Sequence, residues 1–455
     1  MKKAFVGGRL RQLRESRGLS QVAFAEALGV SPSYLNQIER NQRPLTVQVL
    51  LKVNDQFGAD SQFLSDEGDA RLLAELREVF QGAEDVSPAD LRTLIDNMPG
   101  LARHTVQLYR QARDAQDRAT ALALGAGDAA SAPTAYEEVR DFFYHHRNHF
   151  DALDRAAESL FHRAGLTIGA TAEGLARYLA DAHGVSLHQS PDPGVLRRRD
   201  GDRLTLWQGL NAGQRAFQLA TQIALIEAAP LIDAALEGWR FSGSVSYELA
   251  RIGLANYFAG ALMMPYEVFW RTAEELAYDI DAIGGRFGFG FEVICHRLSS
   301  LQREGLRGVP FFFLRVDRAG NISKRQSATD FHFSRTGGSC PLWRVHAAFD
   351  HPGEILTQIA EMPDGRRYFW VTRTVISRPR KYGTPGKSFA VALGCDIAHA
   401  GRLVYATGHD LSAAGTPIGP ACKTCPRERC AQRAFPMLGQ SLRIDPQAAK
   451  FVPYS

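Results

Sequence analysis

Cysteine is scarce in this chain, six residues in 455, and so thin a supply excludes the disulfide framework of a small secreted domain. Long apolar runs are missing as well. No stretch approaches the roughly 18 consecutive apolar residues of a membrane span. The basic start MKKAFVGGRLRQLRESRG leads into no apolar segment of signal-peptide length. A soluble cytoplasmic protein with no membrane partner is expected. Nor is one sign of charge in strong excess. A formal net charge of +4 is too small to bind nucleic acid by bulk attraction, so any such affinity has to come from local clusters of Lys and Arg. Disorder is excluded by the 45% of hydrophobic residues, ample for packed cores.

What is present falls into segments. From Gly8 to Phe57 apolar residues recur at helical spacing, with Leu10 and Leu13, Phe24 and Leu28, Leu35 and Ile38, then Val47, Leu50, Leu51 and Val53. This predicts a head of short helices over 1–65. Residues 66–135 carry long amphipathic patterns and end in GAGDAASAPTA, small residues and proline without period. They predict a helical arm and linker suited to dimerisation. Residues 136–305 are mostly helical in pattern, with DRLTLWQG as one strand or hairpin. From 306 to 455 the texture turns to β-rich runs, VPFFFLRVD, DFHFSR, RRYFWVTRTVIS and KSFAVALGC, before a cysteine-rich tail. The expected fold class is α+β and multidomain: an all-α head, a mostly helical middle domain and a β-rich C-terminal domain.

The segment LSQVAFAEALGVSPSYLNQIERNQRP is the most explicit. Ser20 can cap one helix, Gly29 supplies a tight turn, Ser31 caps the next helix and Pro32 takes its first position. Leu35 and Ile38 then face inward while Ser33, Asn36 and Gln37 face out. Short polar side chains at the N-terminal end of such a helix can reach base edges in the major groove, and Asn or Gln pairs bidentately with adenine. Arg9, Arg11, Arg14, Arg17, Arg40 and Arg43 would ring this head as phosphate clamps. The segment resembles the Xre/phage-repressor helix-turn-helix family, in which the matching base-contacting positions are Pro32, Ser33, Asn36 and Gln37, with Gln21 near a phosphate. The resemblance implies a double-stranded DNA operator and a homodimer reading two half-sites.

AFQLATQIALIE and the later LANYFAGALMMPYEVF resemble the ImmA/IrrE metalloprotease family, whose HExxH and a downstream Glu hold zinc. Here the HExxH window reads Thr221, Gln222, Ile223, Ala224, Leu225, and the third ligand position is Leu254. None of the ligands survives, and an amide at Gln222 cannot act as a base. Peptidase action on a partner repressor is the alternative that this speaks against. His145, His146, His149 and His296 read as structural.

Cys422-x2-Cys425-x4-Cys430, with Cys395 upstream, supplies four soft sulfur ligands, which suit tetrahedral zinc or an iron–sulfur cluster. Spacing alone does not choose. Pro420, Pro426 and the 26-residue gap to Cys395 favour a [4Fe–4S] cluster over Zn2+. Cys340 can serve as a substitute ligand, and Cys295 reads as a buried helix residue. An acyl-CoA needs cations for its phosphates and an apolar slot. Arg378, Arg380, Lys381 and Lys387 offer the first, and Arg335, Trp343, Arg344 and His346 can line the same pocket.

YEEVRDFFYHHRNHFDALDRAAESLF, GGSCPLWRVHAAF and IGPACKTCPRERCAQRAFP together resemble the short-chain fatty acyl-CoA regulator family over nearly the whole chain. That resemblance implies a repressor or activator of propionate and acetate carbon metabolism that is not an enzyme, senses an acyl-CoA or related metabolite, and carries an iron–sulfur cluster at its C-terminal cysteines. A redox or iron sensor without a metabolite ligand is the competing expectation.

Overall fold

The computed structural model describes residues 7–57, most of 72–112, 135–327, 340–377 and 386–436, a few single positions within these ranges excepted. The expected 125–135 linker, apart from Ala135, and the strand expected at DFHFSR lie outside the described residues, as do Arg335, Arg378, Arg380 and Lys381. Packing divides the chain into two compact units, one built on Met1–Ser131 and the other on Ala132–Thr329 with Phe333–Ala434.

The first unit opens with four short helices, α1 (Gly7–Ser16), α2 (Gln21–Leu28), α3 (Pro32–Glu39) and α4 (Val47–Phe57). Their ends lie where the capping chemistry puts them. The Ser20 hydroxyl accepts from the Ala23 amide and the Ser31 hydroxyl from the Tyr34 amide, both at 3.2 Å. Pro32 stands at the start of α3, where a missing N–H costs nothing. Gly29 closes α2 at φ 60°, a left-handed conformation that costs glycine no Cβ clash. Leu10, Phe24, Leu28, Leu35, Ile38 and Val53 are fully buried between these helices. Further on, α5 (Pro88–Asn97) starts in a reciprocal Ser87–Asp90 capping box, and α6 follows over 99–109. Leu91 and Ile95 of α5 and Ala102 and Val106 of α6 bury against Leu72 and Leu76. At Gly8 helix α1 meets α5 so closely that a Cβ would lie 2.3 Å from the Asp96 carbonyl oxygen. Only glycine allows this approach.

The second unit begins with α7 (Ala135–His145), α8 (Asp151–Arg163) and α9 (Thr171–His183). A three-stranded sheet follows, β1 (Ser186–Ser190), β2 (Arg197–Asp200) and β3 (Arg203–Trp207), in the order β1-β3-β2, with β1 parallel to β3. Next come α10 (Ala212–Glu227), α11 (Ala229–Leu236) and α12 (Ser244–Met263). Apolar on most of its surface, α12 runs through the core with Leu254, Ala255 and Phe258 buried. A buried charge ties the layer together. Asp154 of α8 accepts from Arg297 at 2.7 Å and from the Tyr257 hydroxyl at 2.5 Å. Burial alone would raise its carboxyl, but Arg297, His149 and Tyr257 outweigh it and hold the group at about 2.

Helices α13 (Tyr266–Glu275), α14 (Ile280–Phe287) and α15 (Phe291–Leu298) lie on one face of a six-stranded sheet. Its strands are β4 (Phe312–Val316), β5 (Ile322–Ser327), β6 (Leu356–Glu361), β7 (Arg367–Ser377), β8 (Lys387–Asp396) and β9 (Thr416–Pro417), in the order β5-β4-β8-β7-β6-β9. All neighbours are antiparallel except β6 and β9. Strand alternation sorts the side chains. Phe313, Phe369, Val371, Val391, Leu393 and Cys395 face the helices. Phe312, Trp370 and Gly394 face the other way, where Trp343 packs on Trp370 at 4.8 Å. The division expected near 305 therefore runs through one shared core. Among the described residues no single helix is long and apolar enough to cross a membrane.

Candidate functional site

Helix α3 presents Pro32 and Ser33 exposed and Asn36 and Gln37 half-buried, with Leu35 and Ile38 beneath them. Gln21 reaches across from the first turn of α2, its amide nitrogen donating to Asn36 Oδ1 at 3.4 Å and to Glu39 Oε2 at 2.9 Å. Arg40 and Arg43 stay exposed at the far end of α3, Arg43 lying over the Tyr34 ring. Arg14 corrects an expectation. Rather than rimming the head, it donates to Glu39 at 2.7 Å and to the Leu19 carbonyl, because Glu39 is buried and a buried carboxylate demands a cation. Arg11 pairs with Glu15, and Arg17 donates to the Phe57 carbonyl. Hydrogen bonds from Gln21 thus join α2 to α3, and Ser33, Asn36 and Gln37 form the polar outer set of α3.

At the edge of the six-stranded sheet, a small cavity beside β9 is lined by Cys340, Cys422, Cys425 and Cys430 together with Arg427 and Arg433. Cys395, expected as the fourth thiol, is not among them. It sits on the helical face of β8, fully buried in the core, and burial pushes its thiol up. Cys340 takes the place instead, because it precedes Trp343, which packs on the opposite face of the sheet. Backbone amides point at two of the sulfurs. The amides of Gly419 and Leu342 donate to Cys340 and that of Arg427 to Cys425. Burial pushes both thiols up against these hydrogen bonds. Gly419 is packed so tightly that a Cβ would lie 2.5 Å from Cys425 Sγ. Arg433 holds the loop by donating to the Cys422 and Cys425 carbonyls at 3.1 and 2.9 Å. Among the described residues no three thiols, imidazoles or carboxylates stand close enough to share a single metal ion.

The positions that match the zinc ligands of the resembling metalloprotease family are filled with core. Thr221 donates to the Phe217 carbonyl at 2.8 Å, Leu254 is fully buried, and Gln222 accepts from Arg197 of β2 at 2.5 Å. No base and no ligand remains there.

Comparison with known proteins matches three successive regions. A helix-turn-helix model covers residues 10–64, an IrrE N-terminal-like domain model 180–299, and the model described as short-chain fatty acyl coenzyme A regulator, C-terminal, 300–454. The HTH-type transcriptional regulator PrpR of Mycobacterium tuberculosis is 48% identical over 466 residues, spanning 100% of this chain and 96% of its own. The HTH-type transcriptional regulator RamB of the same organism is 47% identical over 470 residues, spanning 100% and 99%. The chain belongs to the short-chain fatty acyl coenzyme A regulator family. A propionyl-CoA carboxylase regulator of Cereibacter sphaeroides is 42% identical across 99% of this chain and 98% of its own. A solved Mycobacterium tuberculosis transcriptional regulator, 50% identical, superposes with a TM-score of 0.69 over 71% of this chain and 100% of that one.

The chain is thus a DNA-binding transcriptional regulator, and its IrrE-like domain lacks the metalloprotease family's zinc ligands at Thr221, Leu225 and Leu254 and its base at Gln222. Two residues expected to line a metabolite pocket are placed otherwise. Trp343 is buried beneath Trp370, and His346 packs edge-on against Trp343, where burial lowers its pKa. Their apolar surroundings, Phe349 and Ala348 among them, make this face of the sheet a core. A feature without a sequence signal lies between α7 and α8. Arg147 and Asn148 both adopt positive φ, 50° and 55°, rare for non-glycine residues in succession. Asn148 Oδ1 and His149 Nε2 are buried there without hydrogen-bond partners.

Proposed function

We propose that this regulator reads a palindromic operator as a homodimer, responds to a short-chain acyl-CoA or related metabolite of propionate and acetate metabolism, and carries a [4Fe–4S] cluster on Cys340, Cys422, Cys425 and Cys430. The observation that carries the cluster is the set of four thiols around one cavity, with amides donating to two of them and Gly419 letting Cys425 approach closely. Backbone N–H groups aimed at sulfur stabilise thiolates and tune a cluster's potential. Arg427 and Arg433 lining the cavity would offset the negative charge that four thiolates bring. Bound there, a cluster supplies one-electron chemistry and folding energy for the tail.

The metabolite reading draws on the family and on the strained 147–149 turn, where Asn148 Oδ1 is buried without a hydrogen-bond partner while His149 Nε2 lies 3.8 Å from Asp151. A buried polar atom without a partner costs about 1–3 kcal/mol, so a ligand hydrogen bond to Asn148 Oδ1 would repay that cost.

Anaerobic purification tests the cluster. The expected product is brown, absorbs at about 400 nm and holds about four irons and four sulfides; a colourless protein with one zinc would overturn it. Footprinting on anaerobic and oxidised protein, with and without propionyl-CoA, tests the metabolite. If the thioester leaves operator affinity unchanged while oxidation abolishes it, the regulator is a redox or iron sensor alone.

A further inference from the structure

Helix α6 has two apolar faces, and its own bundle uses only one. Ala102 and Val106 are buried against α5 and its neighbours. On an adjoining face about 100° round the helix, Met98, just before α6, Leu101 and Leu108 are 56%, 53% and 53% exposed. With Thr105 they lie at spacings of three, four and three residues, the a and d positions of a heptad. In the sequence the same spacing continues through Ala112, Ala115, Ala119 and Leu122, so seven of eight successive seam positions are apolar. A seam sustained over about three heptads or more is the sequence mark of a coiled coil.

We propose that this seam, centred on Met98, Leu101, Thr105 and Leu108, pairs in parallel with the same seam of a second copy of the chain. The inference rests on the dimeric reading of DNA given above and names its surface. The seam is self-complementary, since each position of a parallel pair meets itself. Its flanks fit too. In a parallel pair His104 of one copy faces Tyr109 of the other, so no like charges oppose one another there. Parallel pairing also puts both heads at the same end. Because Gly8 seats α1 directly on α5, the seam and the reading helix α3 belong to one compact unit, and joining two seams sets the distance between two reading helices. Half-sites lie about 34 Å apart, one turn of DNA.

The test uses the full-length protein. Leu101→Lys with Leu108→Lys should convert a dimer to a monomer by sedimentation and weaken binding to a full palindrome roughly 100-fold, with half-site binding and circular dichroism unchanged. As a second measurement, Thr105→Cys should form a disulfide-linked dimer on mild oxidation, while Arg103→Cys, on the outward face, and the unmodified chain should not. A double-lysine variant that stays dimeric with full operator affinity, or a Thr105→Cys variant that fails to cross-link, overturns the seam while leaving the dimer standing. An unmodified chain that is monomeric and binds full and half sites equally overturns the dimer itself. Seam variants that lose association with a different protein but not with each other would assign the surface to that protein and overturn the proposal.

Discussion

Asn36 and Gln37 stand on the outward face of α3, and Gln21 holds Asn36 from the neighbouring helix. Asn36→Ala is expected to cost about 1–3 kcal/mol of discrimination at one base position, measured as relaxed preference in a binding-site selection. Arg40→Ala, by contrast, should weaken all sequences alike and reduce the salt slope by about one. Arg14→Gln should act on folding rather than on DNA, because it strands buried Glu39 without its ion-pair partner. At the tail, single residues separate the two cysteine sets. Cys340→Ser should abolish the anaerobic absorbance and iron content, whereas Cys395→Ala should lower stability by about 1 kcal/mol and leave the iron in place. Retention of iron by Cys340→Ser, with loss in Cys395→Ala, would restore the ligand set expected from sequence.

Turns decide how the elements meet. Gly29 ends α2 in the left-handed region and Ser31 starts α3 two residues later, so the angle between the two DNA-facing helices is set by three residues. Ser31→Ala is expected to lower the melting temperature of the head by the equivalent of about 1 kcal/mol, the usual value of an N-cap. Calorimetry of the full chain checks it. The helix-turn-helix was legible because caps, proline and glycine act locally, within four residues of where they stand. Strand β6 and the β1–β3 pairing were not, because the parallel pairing of β1 with β3 and the short β9 beside β6 depend on partners distant in sequence. That Cys340, named only as a substitute, lines the cavity in place of Cys395 was illegible for the same reason. Cys340 lies 82 residues before Cys422, and only the sheet brings it to the tail; its one local signal, a proline directly after the cysteine as at Cys425, is weak.

The second unit is held across its layers by Asp154, Arg297 and Tyr257 rather than by apolar packing alone. Since the Asp154 carboxyl is depressed from 3.8 to about 2, its contribution is fully present above about pH 4 and is lost as pH falls toward 2. That contribution is on the order of 2 kcal/mol. Near-ultraviolet circular dichroism should show acid unfolding of this unit, and Asp154→Asn should lower its stability by about 3–5 kcal/mol at neutral pH, because it leaves Arg297 buried without a counter-ion. A variant whose thermal midpoint equals that of the parent would refute this role.

Local chemistry in the sequence was sufficient for the head, for the α+β class and for the loss of protease ligands at Thr221, Gln222 and Leu254. Each of these depends on residues near one another along the chain. The tertiary structure alone decided which four thiols line one cavity, that Arg14 pairs with buried Glu39, and that Trp343 is core with His346 half-buried against it. The reason is strand alternation and burial. Cys395 and Gly394 are adjacent in sequence yet face opposite sides of one sheet, and which side holds the tail is fixed only when the sheet folds.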